Sequence, residues 1–226
     1  MNPFKKMAET ARRTQEVDLP VKMDEAAING HLPTLKRLVG QYNRNNGDAS
    51  EYQVLLWVCA NGHDRMVETL LDSGLDVHSN DEEPLKTAAR GGSKEVVRLL
   101  LERGADVRVG NDDPLCGACA AGKLGVAKIL VEAGADVHAQ QEYPLRQAAA
   151  NGHKETVEWL LEQGADVHVR DDAPLVWAAN NKHPETVEFL LTRGADWRAL
   201  VPYLRNPKRM DKIVEIVDAH KKNLSL

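Results

Sequence analysis

The stretch PLRQAAANGHKETVEWLLEQGADVHV, residues 144–169, reads as two short helices joined by a glycine. Proline needs no donor at a first helical position and its φ is already set, so Pro144 opens a helix that runs through Leu145 to Ala150. Gly152 suits a left-handed turn that stops this helix, and a second helix extends from Lys154 to Gly164. The pattern recurs with a period of 30 residues. Gly-Ala-Asp begins at Gly104, Gly134, Gly164 and Gly194, with Gly74-Leu75-Asp76 one step earlier. Pro-Leu begins at Pro84, Pro114, Pro144 and Pro174, and Val67, Val97, Val157 and Val187 keep the same step, with Ala127 at the third position. Five units in register follow: 51–80, 81–110, 111–140, 141–170 and 171–200.

Apolar spacing shows which faces need cover. Leu85, Ala88 and Ala89 on the first helix, and Val97, Leu100 and Leu101 on the second, follow the i, i+3, i+4 rule. One hairpin cannot hide that surface, whereas stacked neighbours bury it continuously. Small residues on the first helix and larger ones on the second make each unit a wedge, so the stack is expected to curve.

Pro-Leu-x-x-Ala-Ala, Asn-Gly-His, Val-x-x-Leu-Leu and Gly-Ala-Asp-Val together resemble ankyrin repeats, over about 180 residues of the chain. The resemblance implies an all-α solenoid of stacked helical hairpins with short inter-repeat loops and terminal caps. Ankyrin units usually have about 33 residues; here three are missing between Asp-Val and Pro-Leu, with the turn glycine and the threonine before proline. In this the array is similar to the shortened units of giant-virus ankyrin proteins, including the Trp of Pro174-Leu175-Val176-Trp177. The fingers between units are therefore expected to be stunted.

Residues 1–20 read as an N-terminal arm or capping helix, with Asn2-Pro3 a candidate start. Residues 21–50 read as a degenerate first unit on Ala26, Ala27, Asn29, Gly30 and His31, with a polar loop from Gln41 to Asp48. Residues 201–226 read as C-terminal capping helices, with Asn206-Pro207 opening one that turns Ile213, Ile216 and Val217 inward.

The chain has 226 residues, 42% apolar and 28% charged, as a soluble globular protein does. No apolar run is long enough to span a membrane and the N-terminus shows no secretory signal, so a cytoplasmic location without membrane association is expected. The middle carries 19 basic against 28 acidic residues. An acidic body argues against direct nucleic-acid binding, which needs a positive stripe.

Cys116-Gly117-Ala118-Cys119 is a C-x-x-C at a helix start, where thiolates are stabilised. Cys119 and Cys59, however, fill the slot of Ala89, Ala149 and Ala179, which points to buried packing, and neither the βαβ context of redox motifs nor a second cysteine pair for zinc is present. His31, His63, His153 and His183 repeat after the helix–helix turn as scaffold. His78, His138 and His168, with Arg108 and Arg198, form a second ladder at the shortened finger, where either scaffold or partner contact is open. Repeated carboxylates before the helix starts read as caps: Glu83 and Asp113 take the place of the missing threonine, with Glu142 and Asp172 substituting where Tyr143 and Ala173 cannot cap. No catalytic motif, metal site or cofactor site emerges.

The face of the first helix opposite its buried residues varies from unit to unit: Trp57, Ala60 and Asn61; Thr87, Arg90 and Gly91; Gly117, Ala120 and Ala121; Gln147, Ala150 and Asn151; Trp177, Asn180 and Asn181. Trp57, Asn61, Arg90, Gln147, Asn151, Trp177, Asn180 and Asn181 are the candidate partner-binding residues, because aromatics and arginine anchor interfaces. For the two tryptophans, packing over neighbouring helices is the competing reading; Trp159, in the slot of Leu99 and Ile129, reads as packing. The expected function is a non-catalytic module whose concave groove binds another protein to inhibit, recruit or scaffold it. The viral resemblance implies a host-directed role in a virus, phage or intracellular bacterium. The alternatives are an acidic nucleic-acid mimic that blocks a basic surface and a redox or metal role at Cys116 and Cys119.

Overall fold

A computed structural model describes residue 19 and residues 21–42, 50–203 and 211–224. The expected N-terminal helix start, most of the polar loop after Gln41 and the Asn206-Pro207 start lie outside the described residues. Among those described, every regular element is a helix. They form two compact parts, one made of residues up to Ala88 with Glu95–Ala105, the other of Ala89–Lys94 and residues from Asp106 onward.

The first part holds α1 (residues 21–28), α2 (Leu32–Tyr42), α3 (Glu51–Asn61), α4 (Asp64–Asp72), most of α5 (Ser79–Gly91) and most of α6 (Lys94–Glu102). Ser50 starts α3 with a capping box, its hydroxyl accepting from the Gln53 amide and its own amide donating to the Gln53 side chain. The second part holds α7 (Val109–Ala120), α8 (Leu124–Glu132), α9 (Ala139–Ala150), α10 (Lys154–Glu162), α11 (Val169–Asn180), α12 (Pro184–Thr192), a 3-10 turn at Trp197–Leu200 and α13 (Asp211–Leu224). There α9 packs on its hairpin partner α10 and on α7 and α11 of the neighbouring hairpins. Ile213 and Val217 of α13 are buried, and α13 packs on α12. The core is the repeat itself: Leu55, Leu85, Leu115, Leu145 and Leu175 are fully buried, as are Ala88, Ala118, Ala148 and Ala178. Each such leucine contributes about 2 kcal/mol or more by leaving water.

The aspartate of Gly-Ala-Asp has a local task. In Asp76, Asp106, Asp136, Asp166 and Asp196 one carboxylate oxygen accepts the amide N–H two residues on, at 2.8–3.0 Å. This turn conformation is one that aspartate favours. It delivers the chain to the shortened finger, which is a single left-handed turn. Asn80–Glu82, Gly110–Asp112, Gln140–Glu142 and Arg170–Asp172 all have φ between 50° and 68°. Right-handed helix resumes with the residue before each proline.

The last residue of each turn is a buried acid, and this corrects the expectation that these carboxylates cap helices. Glu82, Asp112, Glu142 and Asp172 are only 2–7% exposed. Each pairs with the ladder residue four positions earlier: His78 with Glu82, Arg108 with Asp112 at 3.7 Å, His138 with Glu142 at 2.7 Å and His168 with Asp172 at 3.0 Å. The second ladder is thus bonded within the scaffold, and the Glu142 hydrogen bond raises the His138 pKa above its ordinary value. Asp112 and Asp172 also accept the backbone N–H of Asp136 and Asp196, at 3.0 Å, one unit on. In Glu82 and Glu142 the second carboxylate oxygen is buried without a hydrogen-bond partner.

Two stability predictions follow from these backbone facts. Lys182 has φ +64° where Gly62, Gly92, Gly122 and Gly152 stand in the other units. Lys182→Gly removes that strain, so denaturant unfolding is expected to show a gain of about 1 kcal/mol; an unchanged or lower midpoint contradicts it. Glu142→Asp shortens the acid to the form that bonds the next unit's backbone. It is expected to stabilise by about 1 kcal/mol in the same assay, by replacing an orphaned buried oxygen with a made hydrogen bond.

Candidate functional site

The candidate residues occupy first helices, and the structure shows what each touches. In the first part, Trp57 is half-buried and stacks on the His63 ring, centroids 5.3 Å apart and planes 20° apart. His63 in turn meets the Asp24 carboxylate at 2.9 Å. Asn61 is exposed, with its amide folded back onto the Trp57 carbonyl at 2.8 Å.

In the second part, Arg90 is exposed and its stem lies over Gly117, where an added Cβ would come within 3.0 Å of the Arg90 Cγ. The side-chain amide of Asn151 donates to the Gln147 carbonyl at 2.9 Å. The Asn181 amide crosses to the preceding hairpin and donates to the Ala150 carbonyl at 2.6 Å, and the His153 ring N–H donates likewise to the Ala120 carbonyl at 3.1 Å. The last two bonds reach the terminal carbonyls of α9 and α7, the kind that a helix end leaves without an intrahelical donor. Asn180 is exposed on the same helix as Trp177.

Trp177 is half-buried, and its ring lies 5.1 Å from the Arg146 guanidinium, which also sits 5.2 Å from the Tyr143 ring. Arg146 is 5% exposed and donates from Nη2 to the Gln140 carbonyl at 2.9 Å and from Nε to the Gln141 carbonyl at 3.1 Å. Burial, then the charge of Arg170, lowers its pKa. Sequence reasoning missed Arg146. Its signal was a cation in the slot of Lys86 within the one finger, Gln140-Gln141-Glu142, that lacks Asn, Asp and Gly.

The cysteines sit in the interior. Cys59, Cys116 and Cys119 are all buried and free. Burial pushes the Cys59 thiol to about 12. Cys116 also rises to about 12, through burial and then the charges of Asp113 and Asp112. Cys119 shifts the same way, through burial and then Cys116. The thiolate that nucleophilic or redox chemistry requires is therefore disfavoured at each. Among the described residues, no group of three His, Cys, Asp or Glu is placed to hold a metal ion.

A family model of ankyrin repeats, in three copies, matches residues 23–112 and 115–200. No curated protein matches the chain. The matched stretches include all three cysteines, with Cys119 in a slot that is alanine at 89, 149 and 179. Cys119→Ala is expected to leave the melting temperature within a few degrees of the parent, and a thiol reagent at pH 8 is expected to label the native chain far more slowly than the unfolded one. Rapid native labelling of one thiol would overturn this reading.

Proposed function

Because the chain belongs to the ankyrin-repeat family, whose repeats are generally protein–protein interaction modules, we propose that it is a non-catalytic binding protein. Its exposed first-helix residues would hold another protein and so inhibit, recruit or scaffold it. The carrying observation is the contrast between adjacent positions on one helix. The slot of Ala88, Ala118, Ala148 and Ala178 is alanine throughout and fully buried. The slot just before it holds Thr87, Gly117, Gln147 and Trp177, all half-buried, and the one two residues after it holds Arg90, Ala120, Ala150 and Asn180. A shared scaffold that differs where it meets solvent supports recognition, with Trp57 and Trp177 also packing on one side, against His63 and Arg146. No described helix is long and apolar enough to cross a membrane. The buried thiols suit a reducing, cytoplasmic setting.

In this reading Trp177 and Arg90 anchor the partner, with Asn180, Gln147, Asn151 and Asn181 around them. Trp57 and Asn61 offer a similar pair in the first part. An aromatic anchor costs about 2 kcal/mol or more of binding when truncated. With a partner captured from native lysate, Trp177→Ala is expected to weaken binding roughly tenfold or more and Arg90→Ala less so. Glu155→Lys on the outward side of α10 is expected to be silent. Trp177→Ala also frees one face of Arg146, so melting curves are needed alongside. Normal binding by both anchor variants, with loss in Glu155→Lys, would place recognition on the second helices instead.

A further inference from the structure

Among the described residues, Arg146 is the one basic side chain that the fold buries, at 5% exposure. A charge taken out of water is costly unless an opposite charge and hydrogen bonds replace the lost hydration. The buried acids follow that rule, since Glu82, Asp112, Glu142 and Asp172 each face a ladder histidine or arginine. Arg146 does not. Glu142, four residues earlier, gives its bonded oxygen to His138, and no ion pair joins Arg146 to an acid among the described residues. Its partners are two carbonyls, of Gln140 and Gln141, and two rings, of Tyr143 and Trp177. These orient the cation and leave its unit charge unmatched. The charge of Arg170 adds to the imbalance. The two carbonyl bonds, from Nε and Nη2, also use only one edge of the guanidinium. On the other edge Nη1 and the second Nη2 hydrogen point side by side and meet no acceptor among the described residues. The described side-chain atoms buried without a partner are Tyr52 Oη and one oxygen each of Glu82 and Glu142, so Nη1 is open to solvent.

We propose that the open edge of Arg146, beside the Trp177 ring, is a binding site for a carboxylate. The two oxygens accept from Nη1 and Nη2 in the forked geometry that arginine offers to planar anions, and supply the missing counter-charge. A carboxylate lies in the plane of the guanidinium and so passes the flanking rings, whereas a tetrahedral phosphate sets oxygens out of that plane. On the protein-binding reading above, on which this step rests for its source, the carboxylate is an Asp or Glu side chain of the partner that seats next to Trp177. The repeat body is acidic, with 19 basic against 28 acidic residues. A partner's acid is therefore repelled over most of the surface, and an unmatched buried cation fixes where it lands.

The experiment is an NMR titration of the full-length, 15N-labelled chain with N-acetyl-glutamate methylamide at fixed ionic strength, and in parallel with the neutral glutamine analogue and with inorganic phosphate. The readouts are the Arg146 Nε–H and the Trp177 indole N–H. Both are expected to shift and saturate with the carboxylate, to respond more weakly to phosphate and to stay unmoved by the amide. Arg146→Lys keeps the charge and loses the fork, and is expected to weaken binding at the Trp177 indole roughly tenfold. Where that variant does not fold, the parent's own signals decide, because the Arg146 Nε–H must move with the carboxylate and not with the amide. Shifts of similar size at the exposed Arg103 and Arg198 side chains, an equal response to phosphate or to the amide, full affinity in folded Arg146→Lys, or no shift at all would each overturn the site. A silent titration alongside loss of partner binding in Trp177→Ala and Arg90→Ala would remove this site and leave the protein-binding reading standing.

Discussion

A carboxylate buried at the end of a left-handed turn is the interaction on which the repeat depends. With only 30 residues per unit, the chain leaves one hairpin and enters the next within a few residues, and a β-hairpin finger does not fit. The left-handed turn does fit, but each non-glycine residue in it costs about 1–2 kcal/mol. Hydrogen bonds to a charged group return about 1.5–3 kcal/mol each. Asp172 collects two such bonds, from the His168 imidazole and from the next unit's backbone, and Asp112 collects the backbone bond together with a longer ion pair to Arg108. The same carboxylate thus closes its own turn and ties two units together.

Residue choice around the four turns follows from this cost. Asn80-Asp81, Gly110-Asn111-Asp112 and Asp171-Asp172 use the types that tolerate left-handed backbone. Gln140-Gln141-Glu142 does not, and it is the turn braced by a buried arginine with two backbone hydrogen bonds. Arg146 needs company to lose its water, and Tyr143 and Trp177 give it two aromatic faces. Part of the Trp177 ring is therefore committed to holding the preceding turn. That contact restrains the ring on one side, so in the proposed function Trp177 would have less freedom to lose when a partner arrives.

The helical hairpins were legible because their signals are redundant: leucine and alanine slots recur at 30-residue spacing, and the proline and glycine at either end of the first helix agree with them. Lys182 was legible for the same reason, as a lysine in a glycine slot. The handedness of the finger was not. Asp, Asn and Glu before a proline are what helix caps call for, and Asp and Asn are also what left-handed turns call for, so composition alone did not separate the two. The role of the second ladder depended on that geometry, since a right-handed start would leave His138 with no buried acid to face. The candidate row was legible as positions, but its intramolecular bonds were not. Asn61 and Asn151 turn back onto their own helices, and Asn181 reaches the preceding hairpin, contacts that spacing does not encode.

Binding strength depends on how much freedom the binding residues lose when a partner arrives, as well as on the area they cover. Gln147 and Trp177 each sit one residue from a fully buried alanine and two from a fully buried leucine. Their backbone is thus held by fully buried neighbours, so in the proposed function ordering it on binding would cost little. The exposed side chains can then vary from unit to unit without disturbing the stack, because the turns, acids and ladder that set the spacing lie at the far end of each helix. In the proposed function, separation of the residues that define the repeat from those that face solvent would let one scaffold carry different recognition surfaces.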